Sequence, residues 1–525
     1  VGVAALIFII SGRKLQLKNT FAAERCSGVT WDVKRTDMLA QLTEAAETAQ
    51  PFDFVIIGGG ATGLATALDA ASRGYRVALL EGADFCEGTS SRSTKLIHGG
   101  VRYLRNGEIA LVRESLRERG RLFRNAPDLV HSMPFLVPAY RWWEPWFYGI
   151  GMKTYDLLAG SLGLGASGHR NPTLAREDIP NLNPEGLVGG TRYLDAQFDD
   201  SRLAIAFART AADHGAVVVN HLRVTGLRKE KGQVRGVLAT DQIEGGEYEI
   251  AAKTVINATG VFTDEIRMLD DSDAASVITP SQGIHIAIDS KFLGGETALM
   301  VPDTDDGRVL FAIPWQNRCI LGTTDTPGVP VELHPRPLEA EIDYLIEHAA
   351  RYLDAAPTHG DIRARFAGLR PLVRPPAKAG KATSKISRNH EIFVSDSGLL
   401  TIAGGKWTTV RQMAEDTVDR AIDLSGLEKK ACVTVDLKLR APAVAAPSEP
   451  IHPDLPYTED DVRRAVTEEM ALTLPDILAR RTRALFLDAR ASAECAERVA
   501  TLAAEALGKD ATWIADQVAN LPEVP

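Results

Sequence analysis

Residues 54–103 read FVIIGGGATGLATALDAASRGYRVALLEGADFCEGTSSRSTKLIHGGVRY, and their first half decides the fold. Phe54-Val55-Ile56-Ile57 has the length and β-branching of a buried parallel strand, and Gly58-x-Gly60-x-x-Gly63 follows it at once. Gly58 allows a tight turn off the strand, Gly60 lets a pyrophosphate approach the backbone, and Gly63 lets the next helix lie close on the sheet. That helix, predicted from about Ala61 to Ser72, turns its free N–H groups and positive end toward the phosphates. A second strand at Arg76–Leu80 ends on Glu81, whose carboxylate is placed for a ribose hydroxyl. An acid there favours an unphosphorylated ribose, so FAD or NAD is expected over NADP. The glycines alone do not choose between the two.

The following run, GTSSRSTKLIHGGVRYL at 88–104, crowds hydroxyls, basic donors and paired glycines just beyond the dinucleotide turn. Here the chain resembles the FAD-dependent glycerol-3-phosphate dehydrogenases, the quinone-linked respiratory enzymes of bacterial and mitochondrial membranes. The resemblance recurs in YRWW at 140–143, KTYDLLAGS at 153–161, NATG at 257–260, IPW at 313–315, GTTD at 322–325, GLRPL at 368–372, GGKWTT at 404–409 and RRTRALFLDAR at 480–490. It runs from about residue 51 to the end. It implies an α/β fold: a Rossmann-like FAD-binding domain of the glutathione-reductase/D-amino-acid-oxidase type, an antiparallel-sheet substrate domain and a C-terminal helical domain. The division expected is 51–125, 186–264 and 361–425 for the discontinuous FAD domain, 126–185 with 265–360 for the substrate or capping domain, a linker at 441–456 and helices over 457–525.

Composition bounds the alternatives. The 525 residues are 45% hydrophobic, enough for two or three folded domains. A net charge of −10 without a concentrated basic block argues against nucleic acid. Five cysteines, Cys26, Cys86, Cys319, Cys432 and Cys495, lack the spacing of a metal site or a disulfide framework, so no metal is expected. Residues 1–50 read as an N-terminal extension: VGVAALIFII at 1–10 is too short to cross a bilayer, Arg13, Lys14 and Lys18 follow, and no initiator methionine is present. A truncated anchor and a disordered tail both fit.

Beyond the βαβ unit, Glu108–Asn125 has the period of a helix. Arg141-Trp142-Trp143-Glu144-Pro145-Trp146-Phe147-Tyr148 then gathers three of seven tryptophans. Two readings fit, a peripheral membrane contact and an aromatic cluster buried between domains. Strand patterns at Gly236–Thr240 and Tyr248–Ala251 suggest a small antiparallel layer, and Thr254–Gly260 a further strand ending in a small-residue turn. Strands at Gly283–Ile288, Val309–Pro314 and Cys319–Gly322 belong to the substrate sheet.

A phosphate ester calls for bidentate arginine and fixed donors, and residues 361–424 supply Arg370, Arg374, Arg388, Lys406 and Arg411. The resemblance singles out Arg102, Tyr103, Arg370, Arg388 and Lys406 for the substrate. For FAD it implies Gly58, Gly60, Gly63, Glu81, Thr89, Ser90, Thr94, Lys95, Leu96, His98, Gly260, Thr324, Asp325, Gly405, Lys406 and Thr408. Oxidation of a secondary alcohol needs a base of pKa near working pH, hence a histidine, with hydride passing to the flavin. The resemblance puts His285 first and His98 second, with Arg370 polarising the developing oxygen. Thr323, Thr324 and Asp325 would position ring or substrate.

Helical periods at Glu459–Leu472, Pro475–Asp488 and Ala491–Leu507 make up the C-terminal part, the first begun by a capping box of Thr458 and Asp461. Arg480-Arg481-Thr482-Arg483 reads as a lipid- or substrate-touching run or as a helix face paired with acids. The resemblance implies glycerol 3-phosphate as substrate, ubiquinone or menaquinone as electron acceptor, a peripheral membrane surface and a homodimer. An oxidase releasing hydrogen peroxide shares nearly all these motifs, and a non-catalytic FAD-binding protein is the remaining alternative. No D-x-[DN]-x-[DN]-G calcium loop of the mitochondrial members appears, so the expected place is the cytoplasmic face of a bacterial inner membrane, with the cytoplasm as the alternative.

Overall fold

The apolar run becomes the strand Phe52–Ile57, which pairs in parallel with Val77–Leu80 on one side and Glu247–Asn257 on the other. A strand covered on both faces has no alternation to show, which is why it reads as an unbroken hydrophobic run. The computed structural model describes residues 34–101, 107–302, 304, 308–373, 390–442 and 446–521. Among them the first sheet runs His390–Val394, Leu400–Gly404, Glu247–Asn257, Phe52–Ile57, Val77–Leu80, Val217–Val219. The stretches expected as separate strands near 248–251 and 254–257 are one strand; its first half pairs antiparallel with Gln233–Asp241 and its second half parallel with Phe52–Ile57. Helix Ala61–Ser72 packs between Asp200–Asp213 and Val410–Ser425.

The second sheet runs Thr326–Pro327, Ile278–Asp289, Arg318–Gly322, Leu310–Trp315, Ala298–Val301, Val130–Ala139, Gly189–Phe198, Leu96–Ile97. Ala364–Val373 also flanks Ile278–Asp289 over ten residue pairs. Two strands expected with the nucleotide fold, Gly189–Phe198 and Ala364–Val373, therefore hydrogen-bond into this second sheet. Along Ile278–Asp289, Ile284, Ile286 and Ile288 bury against Ile342, Leu345 and Ala349 of helix Glu339–Tyr352. The period of two turns His285 and Ala287 to the opposite face.

Within the expected N-terminal extension, Arg35–Glu47 is a helix rather than a loose tail. Met38, Leu39 and Leu42 join the main core, and Arg35 forms a bidentate pair with Asp241. Helix Glu144–Ala159 resolves the two readings of the tryptophan cluster against burial. Trp142 is 80% exposed, Trp146 75%, Ile150 69% and Leu157 81%. Among the described residues no helix is long and apolar enough to cross a membrane.

The capping box forms at Thr458 and Asp461 ahead of Glu459–Glu469. The single helix expected at 475–488 is instead a π-helical turn, Asp476–Arg481, and a short helix, Ala484–Leu487. Ala489–Glu494 and Ala496–Leu507 likewise divide the next one, and Ala511–Ala519 follows unanticipated. These helices share a core with Ala287, Trp315, Ala364 and Phe366 of the second sheet.

The arginine run does not face lipid: Arg480, Arg481 and Arg483 are all buried and pair with acids, as the second reading has it. Arg481 grips both oxygens of Asp84 at 2.5 and 2.9 Å, and Arg480 reaches Asp84 at 2.6 Å and Asp476 at 2.7 Å. His221 Nε2 lies 3.0 Å from Asp476. Asp84, His221 and Asp476 stand close enough together to hold a cation, but the arginines already occupy the carboxylates. Burial alone would lower the His221 pKa, yet the Asp476 carboxylate prevails and raises it.

Removing one partner leaves the other charge buried and unmatched, so Arg481→Ala is expected to destabilise the fold by about 3–5 kcal/mol, read as a lower denaturation midpoint. His221 adds stability that is complete below its unfolded pKa of about 6.5 and is lost as pH rises through its raised folded value. The thermal midpoint should therefore fall as pH rises above about 6.5, and His221→Gln should remove that part of the slope. Equal slopes in wild type and variant would refute the assignment.

Candidate active site

The glycine-rich turn has the geometry its spacing demands. Gly58 adopts φ +105°, and a Cβ there would stand 2.8 Å from the Ala258 carbonyl oxygen. At Gly63 a Cβ would lie 1.9 Å from the Gly58 carbonyl oxygen, so only glycine lets the helix close onto the turn. Glu81 accepts from the N–H of Gly59 at 2.6 Å and of Ala83 at 2.8 Å. Burial pushes its carboxyl pKa up against those two donors.

Beside this turn opens a cavity of about 610 Å³, within the range of cofactor sites. Gly58, Gly60, Glu81, Thr89, Ser90, Thr94, Leu96, His98, Gly260, Gly405, Lys406 and Thr408 line it, and so do His285 and Arg370 from the second sheet. Glycines that exclude any Cβ, a helix start and a long cavity with a carboxylate at the second strand's end suit a dinucleotide of the FAD type.

Four residues expected at the cofactor, Gly63, Lys95, Thr324 and Asp325, do not line this cavity. Lys95 is fully buried, pointing at Asp200 and the Ser91 carbonyl, because its neighbours Thr94 and Leu96 take the cavity side. Thr324 is buried behind the sheet, bonding Glu341 at 2.8 Å and the Ile284 N–H at 3.1 Å, while Thr323 beside it lines the cavity. Asp325 pairs with Arg370 at 3.1 Å. Gly63 acts through helix packing. Arg102, Tyr103 and Arg388 lie outside the described residues.

His285 Nε2 lies 2.9 Å from the Thr94 hydroxyl, and the ring stacks on Phe366 at 5.1 Å. Burial, then the cations Lys95 and Arg370, hold its pKa down to about 3, so the imidazole is neutral at neutral pH. Arg370 donates to the Gln282 and Thr324 carbonyls and to the Thr323 hydroxyl. Lys406 Nζ donates to Ser115 Oγ at 2.6 Å.

Two glycines make this crowding possible. A Cβ on Gly283 would stand 2.4 Å from the Arg370 guanidinium, and one on Gly322 would stand 2.3 Å from the His285 ring. A glycine inside a strand pattern is the sequence signal for such close approach, and neither position was singled out from the sequence. Trp407, also missed, donates from Nε1 to the Ser90 carbonyl at 2.9 Å.

Residues 53–411 match the family model described as FAD dependent oxidoreductase, and 399–513 match the C-terminal domain of alpha-glycerophosphate oxidase. The chain is 41% identical over 531 residues to a probable mitochondrial glycerol-3-phosphate dehydrogenase of Caenorhabditis elegans, covering 90% of this chain and 72% of the relative. Against the mitochondrial glycerol-3-phosphate dehydrogenase of Homo sapiens the identity is 39%, with the same coverage. The solved glycerol-3-phosphate dehydrogenase of Bacillus halodurans, complexed with FAD, superposes with a TM-score of 0.72 at 27% identity, covering 93% of this chain and 96% of that one.

Gly63→Ala should open the turn and cost FAD retention. We expect the purified variant to show at least about a tenfold weaker apparent FAD affinity by flavin fluorescence titration, equivalent to about 1.4 kcal/mol. Unchanged affinity would mean that the close approach at Gly58 is not what shapes the cofactor site.

Proposed function

We propose that this chain, which belongs to the FAD-dependent glycerol-3-phosphate dehydrogenases, oxidises sn-glycerol 3-phosphate at C2 to dihydroxyacetone phosphate and passes the electrons to a membrane quinone. The observation that carries the reading is that His285, Arg370 and Lys406 face the same cavity as the dinucleotide turn. FAD bound there supplies the acceptor for the two electrons leaving C2.

The chain's own groups divide the remaining work. His285 takes a proton at Nε2 by way of Thr94: the Thr94 hydroxyl passes its proton to Nε2 as its oxygen receives the substrate hydroxyl's. Arg370 steadies the oxygen as it becomes a carbonyl, and Lys406 supplies a cation for the phosphate. A pKa near 3 makes the free His285 a weak base. A phosphate dianion beside Arg370 and Lys406 offsets part of the positive field that depresses it, so binding the substrate raises the basicity of the group that must deprotonate it. Arg388, Arg102 and Tyr103 are proposed to complete the phosphate site, as the resemblance implies.

The exposed stripe of Trp146, Ile150 and Leu157, with Trp142 beside it, supports docking on a lipid surface, since positions four and seven residues apart share one helix face. The surface we assign is that of a bacterial inner membrane on its cytoplasmic side. A second reading, an oxidase releasing peroxide, takes its support from the C-terminal family match.

Adding glycerol 3-phosphate anaerobically to the purified protein should bleach the flavin band near about 450 nm. A soluble quinone should restore the band quickly and oxygen slowly. Fast peroxide production would favour the oxidase, and a yellow protein that does not bleach would overturn the substrate. Separately, replacing Trp142 and Trp146 by serine should release the protein from phosphatidylglycerol vesicles in a flotation assay without changing flavin bleaching. Equal flotation of wild type and variant would remove this helix from the membrane contact.

A further inference from the structure

Lys95, Asp200 and Arg483 form an ion cluster behind the cavity, with relative exposures of 0% for all three. Lys95 Nζ donates to Asp200 Oδ2 and to the Ser91 carbonyl, both at 2.7 Å. The ammonium also lies 5.2–5.7 Å from the ring centres of Phe366, Trp315 and Phe486. Arg483 donates to Asp200 Oδ1 at 3.0 Å, to the Ser91 carbonyl at 2.7 Å and to Ser201 Oγ at 2.8 Å. Asp199 adds a second carboxylate 3.7 Å from Arg483, so two cations and two carboxylates are drawn largely out of water together. An arrangement so costly to bury points to a use.

Its contacts lead to His285. Asp200 Oδ2 also accepts from the Ser93 N–H at 3.1 Å and hydroxyl at 2.7 Å. Residues 93 and 95 are thereby fixed from behind, and Thr94 between them is left facing His285 Nε2. Phe366 connects the two directly, with the Lys95 ammonium 5.2 Å from its ring centre and the His285 ring stacked on it. The charged groups that reach His285 are Lys95 and Asp200 on this side and Arg370 on the other, the last paired with Asp325.

We propose that Lys95 and Arg483 are positioning residues for proton abstraction: anchored on Asp200, they hold Thr94 against His285 and set the charge around the imidazole. This rests on His285 being the base, as read above. The C-terminal helices thereby take part in catalysis without touching substrate, because Arg483 comes from that segment. Burial and Arg483 hold the Lys95 pKa down to about 8 against the pull of Asp200, and Lys95 in turn is one of the cations that lower His285.

The test uses the FAD-loaded full chain and the anaerobic rate of flavin bleaching at saturating glycerol 3-phosphate, measured against pH. Dividing each variant's rate by the wild-type rate at the same pH cancels the substrate's own ionisation. Lys95→Met removes a cation, so His285 of the substrate complex, its pKa raised by the phosphate from about 3, should protonate more readily; the ratio should fall as pH falls through that raised pKa, by up to about tenfold for a one-unit shift. Lys95→Arg keeps the charge and should give a ratio that does not vary with pH below the Lys95 pKa of about 8, where the wild type is charged as well. A flat ratio for Lys95→Met at full FAD content would overturn the electrostatic part. Arg483→Lys keeps the charge but loses the forked grip on Ser91 and Asp200; it should lower kcat severalfold with KM nearly unchanged. An unchanged kcat there would overturn the positioning part, even if Lys95→Met does not fold. His285→Gln separates the two readings: if it bleaches at the wild-type rate, the base assignment fails, whereas loss of bleaching with no effect at Lys95 or Arg483 sinks only the present proposal.

Discussion

The site depends on how residues 88–98 are held between the two sheets. Regular structure in this run is limited to a short 3₁₀ turn, Thr89–Ser91, and the two-residue strand Leu96–Ile97. Its polar groups must therefore find partners elsewhere, since buried backbone donors and acceptors left unpaired are costly. They find them on several separate segments. Ser90 Oγ accepts the Ala61 N–H at the helix start, and the Thr89 hydroxyl donates to the Leu369 carbonyl. Trp407 and Thr408 donate to the Ser90 and His98 carbonyls, Asp200 accepts from Ser93, and Arg483 donates to the Ser91 carbonyl. Together these bonds join distant parts of the chain to the wall on which the cofactor would rest.

The C-terminal helices fit into this arrangement as more than a cover. Their apolar side completes a core with Trp315, Phe366 and Ala364, while Arg480, Arg481 and Arg483 reach across to Asp84 and Asp200 on the nucleotide side. A buried ion pair adds little net stability over apolar packing, but it penalises every arrangement that leaves one charge alone. The arginines thus specify where the helices dock, and through Asp84 they fix the loop that follows Glu81. Burying the run also explains why the helix expected there breaks into a π-helical turn. A straight helix would spread Arg480, Arg481 and Arg483 around its circumference, whereas here all three converge on acids of one neighbouring surface.

The opposite logic applies at helix Glu144–Ala159. Trp146, Ile150 and Leu157, with Trp142 just before the helix, stay in solvent, where a large apolar surface has a cost that contact with an apolar partner relieves. The helix is nonetheless attached to the interior: Met152 and Tyr155 are buried, and the Tyr155 hydroxyl donates to Asp195, which Arg119 also grips at 2.9 Å. Anchoring on one side and exposure on the other is what a docking element requires.

Local order was legible in the sequence wherever one period or one spacing sufficed. The strand, the Gly58-x-Gly60-x-x-Gly63 turn, the helix behind it and the acid at Glu81 depend on contacts within thirty residues, and the alternation through SQGIHIAI already separates His285 from the isoleucines. Family resemblance extended this to the residues around the cavity. Only the tertiary structure decided which side of a short segment faces in: Lys95 and Thr324 turn away from the cavity because each has a buried acid to satisfy, Asp200 and Glu341, more than a hundred residues away for Lys95 and on a separate helix for Thr324. It also decided that Gly189–Phe198 and Ala364–Val373 join the second sheet, that the arginine run is interior and that the tryptophan helix is exposed. These outcomes turn on strand pairing and ion pairing between distant parts of the chain, and no local pattern encodes which distant partner a strand or a charge will meet.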